Sequence, residues 1–234
     1  TEYDLLERPM NATDSLSTAR EWLYNNRNEL VSAVIGTNSY AFAYDSIGNR
    51  EWAALNSATN SYIANSLNQY SQVDASQFVY DADGNLTQDG RYNYTYDAEN
   101  RLVSIIPIAP TEGSLSILNR YDHKGLRIRK IVKRYEDGVW CEYAVHTFIL
   151  DGGNIVFERI AKADGNHITK EYFWGIDKSG TEQGAGGVGG LLAVSIDGIF
   201  SIPCYDHNGN IITYVPENGG IESLYVYDAY GNTI

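Results

Sequence analysis

The oxygen-rich run Asp81-Ala82-Asp83-Gly84-Asn85 has the look of a calcium loop, because alternate side chains carry carboxylate or amide ligands. A complete loop of that kind needs a Glu at its twelfth position, and position 92 is Tyr. Turn-forming Asp and Asn explain the run without a metal. Paired carboxylates could also serve a glycosidase as acid and nucleophile. Here an equivalent Asp recurs in repeat after repeat, whereas an active site is built once. Gly184 to Gly190 (GAGGVGG) resembles a phosphate loop only in composition: it lacks the Gly-Lys-Ser/Thr ending and the G-x-G-x-x-G spacing. A flexible connection or close backbone packing is the better explanation. His123, His146, His167 and His207 have neither an H-E-x-x-H nor a Cys-x-x-Cys context, and no G-x-S-x-G elbow occurs. No catalytic, cofactor-binding or metal-binding residue is assigned, and no enzyme is expected. Trp22, Trp52, Trp140 and Trp174, with the tyrosines, could stack sugars, although packing accounts for them first. The sequons at Asn11, Asn85 and Asn93 are the chance product of an Asn- and Thr-rich chain.

What must position these residues is a repeated turn. Tyr80-Asp81-Ala82-Asp83-Gly84-Asn85-Leu86 and Tyr96-Asp97-Ala98-Glu99-Asn100-Arg101-Leu102 are copies of one pattern. The Tyr ends a strand and the Asp folds its carboxylate back onto nearby N–H groups. Gly84 or Asn100 takes a positive φ, and the aliphatic restarts a strand. Clear copies also lie at Tyr44-Asp45 with Gly48, Tyr121-Asp122 with Gly125, Tyr205-Asp206 with Gly209, and Tyr227-Asp228 with Gly231. Degenerate copies begin at Tyr3, with Glu7 in the Gly/Asn place, at Tyr24, and at Leu150 (LDGGNIV). Asp89-Gly90, Asp137-Gly138 and Asp164-Gly165 add tight-turn signals. Tyr92, Tyr94 and Tyr96 alternate with polar residues, as a strand with one wet face should. Ser15 to Asn28 has weak helical character, but the repeat at Tyr24 favours strand.

Composition agrees. There are 19 Tyr against 6 Phe, with 22 Gly, 20 Asn and only 5 Pro, which suits hairpins. A lone hairpin cannot bury its apolar face, so successive hairpins must pair side by side. Net charge of −13 argues against nucleic acid as partner. One basic run, Lys124, Arg127, Arg129, Lys130, Lys133 and Arg134, admits an anion or polysaccharide patch; a solvated strand face paired with acidic neighbours is favoured. Cys141 and Cys204 leave their pairing open. No long apolar run or signal peptide is present.

The copies resemble the YD repeats of Rhs proteins, Tc-toxin C components, wall-associated proteins and teneurins. The most specific part is Trp174-Gly175-Ile176-Asp177-Lys178-Ser179-Gly180 followed by Gln183 to Leu192 (QGAGGVGGLL), similar to the segment that precedes the Rhs-associated core. The resemblance implies an all-β fold: consecutive hairpins paired into a curved, spiralling antiparallel sheet, part of a YD-repeat shell. Residues 1–234 are expected as one such domain, with 178–190 a Gly-rich connection inside it. Thr1 falls two residues before a repeat and Ile234 directly follows one, as expected of a fragment of a longer protein. The implied role is structural, as a shell or scaffold of a large secreted or surface protein, for encapsulation of a C-terminal effector or for adhesion. A carbohydrate-binding module using exposed Tyr and Trp is the runner-up, and a glycosidase or self-cleaving protease comes third. Implied partners are neighbouring repeats of the parent chain, an encapsulated effector or a polysaccharide, with self-association through edge strands as a further route.

Overall fold

The computed structural model describes every residue except 14–18, 207, 222, 229, 230 and 234. The described residues form strands and turns without a helix. The first sheet opens with β1 (Glu2–Tyr3), β2 (Pro9–Thr13) and β3 (Ala19–Tyr24). It continues through β4 (Leu30–Ile35), β5 (Asn38–Tyr44), β6 (Arg50–Leu55) and β7 (Ala58–Ala64), and ends with β8 (Tyr70–Val73) and β9 (Ser76–Gln77). The second sheet starts with β10 (Val79–Tyr80), β11 (Leu86–Gln88), β12 (Tyr92–Tyr96) and β13 (Leu102–Pro107). Next come β14 (Leu115–Tyr121), β15 (Arg127–Glu136), β16 (Val139–Asp151), β17 (Asn154–Lys162) and β18 (His167–Trp174). It finishes with β19 (Leu191–Ile196), β20 (Ile199–Tyr205), β21 (Ile211–Pro216) and β22 (Ser223–Leu224).

Within each sheet the strands lie in sequence order, so every connection is a hairpin and none crosses over. A hairpin composition therefore becomes an antiparallel sheet in the simplest way available. The strands fall into two hydrogen-bonded sheets, of nine and thirteen strands, where one continuous sheet was expected. The chain also divides into two compact units, Thr1–Gly90 with Asp228–Asn232, and Arg91–Tyr227 with Thr233–Ile234.

Two kinds of turn recur between the strands. At the repeats the register slips at the Tyr: Tyr44 pairs with Arg50, Tyr96 with Leu102 and Tyr205 with Ile211. Such a bulge kinks the strand locally and leads into a five-residue turn. The fourth residue of that turn has positive φ throughout, whether it is Gly48, Gly84, Gly125, Gly209 and Gly231 or Asn28, Asn68 and Asn100. Glu7 adopts the same conformation (φ 60°), so the degenerate first copy still turns. The second kind encloses two residues, as between Leu55 and Ala58, Glu136 and Val139, or Ile196 and Ile199.

The Leu150 segment departs from the expected copy. Asp151 pairs directly with Asn154, leaving only Gly152 and Gly153 in the turn. Two adjacent glycines allow this tighter reversal, with Gly152 at φ 58°.

Each unit has its own small core. Ala33, Ile35, Tyr40 and Phe42 are buried in the first, with Trp22, Leu30, Tyr44 and Ala53 against them. Val132, Ala144 and Ile160 form the second, with Ile168 beside them. Both lie on the middle strands of their sheets, where neighbours on either side exclude water.

Replacing Gly84 (φ 86°) with Val is expected to cost about 1–2 kcal/mol, since a branched side chain is poorly tolerated at positive φ. Gly84→Asn should cost less, because Asn100 occupies the equivalent place. Denaturant unfolding of the two variants tests this; equal midpoints for both would remove the φ argument.

Candidate functional site

The carboxylates that could do chemistry are already engaged in the turns. Asp97 Oδ1 accepts the N–H groups of Glu99 and Arg101, both at 3.0 Å, while Oδ2 accepts Arg101 Nε at 2.7 Å. The backbone closes around it, Asp97 N donating to Arg101 O and Asn100 N to Asp97 O. Asp4, Asp45, Asp81 and Asp206 repeat the pattern, the side-chain donor being Arg8, Asn49, Asn85 and Asn210. Asp122 accepts the two backbone donors alone, because its fifth turn residue is Leu126. Asp228 takes Asn232 through both backbone and side chain.

These bonds favour the ionised form. The side-chain donor does most to hold Asp4, Asp45, Asp81 and Asp97 below the usual carboxylate range, and the Leu126 N–H does so for Asp122. Asp81, the first member of the calcium-like run, is thus occupied by three N–H donors. Among the described residues no three His, Cys, Asp or Glu side chains converge to hold a metal ion.

In several repeats the Tyr ties its turn to the one before it. Tyr44, Tyr121 and Tyr227 donate their hydroxyls to the carbonyls of Leu30, Leu102 and Ile211, at 2.8, 2.8 and 2.6 Å. In each case the acceptor restarts a strand after the previous turn. Tyr80 does the same to Tyr70 at 2.9 Å, joining the last strands of the first sheet to the first strand of the second. The turns also touch sideways: Arg8 Nη1 donates to Asn28 Oδ1, and Arg101 Nη1 to Asp122 O.

Two parts of this system were missed in the sequence. Asn65 heads a full turn, accepting the N–H groups of Leu67 and Gln69, yet Ala64 stands where Tyr is expected. Its remaining signal was Asn68, three residues on, at φ 60°. At the two-residue turns, Asn56, Asp74 and Asp197 accept the backbone N–H groups of Ser39, Ser61 and Thr169, tying each tip to an earlier strand.

The Gly-rich segment is an enlarged version of the same turn. Trp174 pairs with Leu191 as Tyr96 does with Leu102, with Gly175 to Gly190 between them. Trp174 Nε1 donates to Ile155 O (2.8 Å), and Tyr205 then donates to Leu191 O (2.6 Å), continuing the pattern. Inside the loop Asp177 is 5% exposed. Its carboxylate accepts Ser179 Oγ and the N–H groups of Ser179, Ala185 and Gly187. The Ser179 hydroxyl leads these donors in lowering the Asp177 pKa to about 2. A Cβ at Gly190 would meet the Gly175 and Gly187 carbonyls at 3.2 Å, so close backbone packing explains this glycine.

A buried polar group in the second unit was also not anticipated. Glu158, 7% exposed, accepts from Tyr172 Oη at 2.9 Å and shares a 2.6 Å hydrogen bond with His146 Nδ1. Lys170 Nζ stands 3.9 Å away. Burial pushes the Glu158 pKa up, but the bonds to His146 and Tyr172 outweigh it and hold the carboxyl ionised. Burial, reinforced by this carboxylate, raises the Tyr172 phenol well above its ordinary value. The group cross-links β16, β17 and β18. His123 and His167 are exposed, and His207 lies outside the described residues. Trp22 packs on the first core and Trp140 lies edge-on to Tyr135. Cys141 and Cys204 are free thiols.

Side-chain chemistry directed into turns and neighbouring strands defines a structural repeat module. The Teneurin YD-shell family profile matches residues 4–143, and the chain belongs to that family. The chain is 29% identical over 216 residues, 89% of its length, to the tRNA3(Ser)-specific nuclease WapA of Bacillus spizizenii. It is equally 29% identical over 216 residues to the tRNA nuclease WapA of Bacillus subtilis strain 168. It spans 8% of the length of either relative. Among solved structures, TcdB2-TccC3-TEV aligns with 99% of this chain and 16% of its own, at 12% identity and a TM-score of 0.44. TcdB2-TccC3 without its hypervariable C-terminal region aligns with 99% and 15%, at 11% identity and 0.44.

Two predictions follow from the bonds at the turns. Tyr121→Phe, which deletes only the hydroxyl bonded to Leu102 O, should lower unfolding free energy by about 0.5–1.5 kcal/mol. An unchanged denaturation midpoint would show that the tie contributes nothing. Acid acts on the carboxylates. The pKa values of Asp4, Asp45, Asp81, Asp97, Asp122 and Asp177 are lowered on folding, so the contribution of these groups is complete above the ordinary value of 3.8 and vanishes as pH falls toward about 2 at Asp177. Stability should hold between about pH 7 and about pH 5 and then decline, less steeply in Asp177→Asn. A decline centred near neutral pH would assign the effect to other groups.

Proposed function

We propose that this chain is a non-enzymatic wall segment of a large, exported or surface-displayed Rhs-type protein, whose shell encloses a C-terminal effector. One observation supports this reading most: the Asp, Tyr and Asn side chains of the repeats are used within the chain. The turn carboxylates hold their own turns, and the hydroxyls of Tyr44, Tyr80, Tyr121, Tyr205 and Tyr227 hold the strand before. In this reading Tyr44, Asp45, Gly48, Tyr80, Asp81, Gly84, Tyr96, Asp97 and Asn100 are wall-building residues. So are Tyr121, Asp122, Gly125, Tyr205, Asp206, Gly209, Tyr227, Asp228 and Gly231. An enclosing role also fits relatives named as tRNA nucleases, of which the chain spans only a small part. Nuclease activity in the parent protein would then reside in another segment.

The test is to incubate the purified segment and its full-length parent with tRNA in parallel. Cleavage by the parent but not by the segment is expected. Cleavage by the segment, lost in His146→Ala or Glu158→Gln, would overturn the non-enzymatic reading and put chemistry at the buried polar group. To test enclosure, limited proteolysis compares the parent with a variant weakened at Asp97 and Asp122. Faster effector digestion in the variant is expected, and equal rates would count against a wall.

A further inference from the structure

The last five strands of the second sheet build a cleft on one of its faces. Lys170 pairs with Ile196 and Tyr172 with Val194, and Val194 pairs in turn with Ser201. Ser201 also pairs with Pro216, two residues from Tyr214, and Tyr214 pairs with Ser223. Directly paired residues project from the same face, as do alternate residues of one strand. The long side chains of Lys170, Tyr172 and Tyr214 thus stand around the short ones of Val194, Ser201 and Ser223. Tyr225 completes the lining, edge-on to Tyr214 with ring centroids 6.5 Å apart. The space among them is a cavity of about 320 Å³. That is at the small end of ligand sites, which run from about 300 to about 1,000 Å³.

Two hydroxyls on this cavity lack the partners that their counterparts have. Ser223 Oγ is buried and has no hydrogen-bond partner among the described residues. A buried hydroxyl left so is costly unless something supplies the bond. The phenols of Tyr44, Tyr80, Tyr121, Tyr205 and Tyr227 each donate to a carbonyl, and that of Tyr172 donates to Glu158. The half-buried Tyr214 makes no such bond among the described residues. Lys170 Nζ lies 3.9 Å from Glu158, whose oxygens already hold His146 and Tyr172. Lys130 shares the charge of the same carboxylate, so two ammoniums face one acid and positive charge is left at Lys170.

We infer that this cavity binds a small aromatic carboxylate. The ring of the ligand packs among Tyr172, Tyr214 and Tyr225 on the aliphatic Val194 and Ile196, where edge-on and offset contacts are available. Its anion is drawn to Lys170 and takes the free hydroxyls of Tyr214 and Ser223, as charge-assisted bonds to a carboxylate favour. The described lining residues offer an ammonium and hydroxyls but no carboxylate or amide side chain. An organic cation would meet Lys170 with no acid to receive it. A neutral sugar would find no carboxylate or amide to bind its hydroxyls in pairs. The volume admits one ring system with its acid group, not a polymer.

Amide NMR titration of the isotope-labelled chain with benzoate, 4-hydroxybenzoate and indole-3-carboxylate tests the inference, with benzyl alcohol, benzylamine, acetate and glucose as comparators. At least one aromatic acid is expected to bind more tightly than every comparator, with shifts centred on β18 to β22. Lys170→Met should weaken that acid roughly tenfold, the loss of one charge-assisted bond, whereas Lys170→Arg keeps the charge and most of the affinity. Ser223→Leu, which fills the cavity from the edge of the sheet, should abolish binding with an unchanged thermal midpoint. It carries the test should Lys170→Met be less stable. Lys124→Gln, at a remote turn, should bind as the parent does. Absence of saturable binding by all three acids, a comparator binding as tightly, undiminished binding in Ser223→Leu, or shifts centred elsewhere would each overturn the assignment.

Discussion

A chain that reverses direction within five residues turns backbone N–H groups inward with no strand to pair with. Unmet, such donors cost free energy comparable to a lost hydrogen bond. In this protein a single side-chain oxygen at the head of the turn receives two of them, as Asp97 does for Glu99 and Arg101. The positive φ of the fourth residue makes that geometry reachable, and the bulge at the preceding Tyr aims the strand into it. Strand spacing, cores and lateral contacts all depend on this reversal being repeatable.

Repeatability then supplies cohesion. Where a turn leaves a strand-opening carbonyl in the same place, a later tyrosine finds an acceptor in an equivalent position along the sheet. Tyr44 on Leu30, Tyr121 on Leu102 and Tyr227 on Ile211 are one interaction used again. The buried cores are small and local, so these ties and the ladders between strands carry much of the continuity.

The turns were legible because their chemistry is local: a Tyr, an Asp and a Gly or Asn within five residues specify both donor geometry and φ. Strand alternation at Tyr92 to Tyr96 was legible for the same reason. What could not be read depends on contacts distant in sequence. Glu158, His146 and Tyr172 come together only once β16, β17 and β18 are in register. The Asn65 turn was hidden because Ala64 and Asn65 replace both signature residues while amide geometry still serves. The Leu150 segment misled in the opposite sense, its Asp-Gly-Gly matching the pattern but closing a shorter turn. The split into two sheets has no sequence mark, since the repeat at Tyr80 is among the clearest.

The Trp174–Leu191 pair shows how far the turn can be stretched without disturbing the strands that flank it. With the pair formed and both neighbours tied to it, the strands on either side stay paired across the enlarged loop. Loop-closure entropy rises only slowly with added length. The sheet can thus tolerate foreign sequence at this point as a woven fabric tolerates a pocket sewn along one seam. The enlarged turn is a natural place for evolution, or an engineer, to install new material.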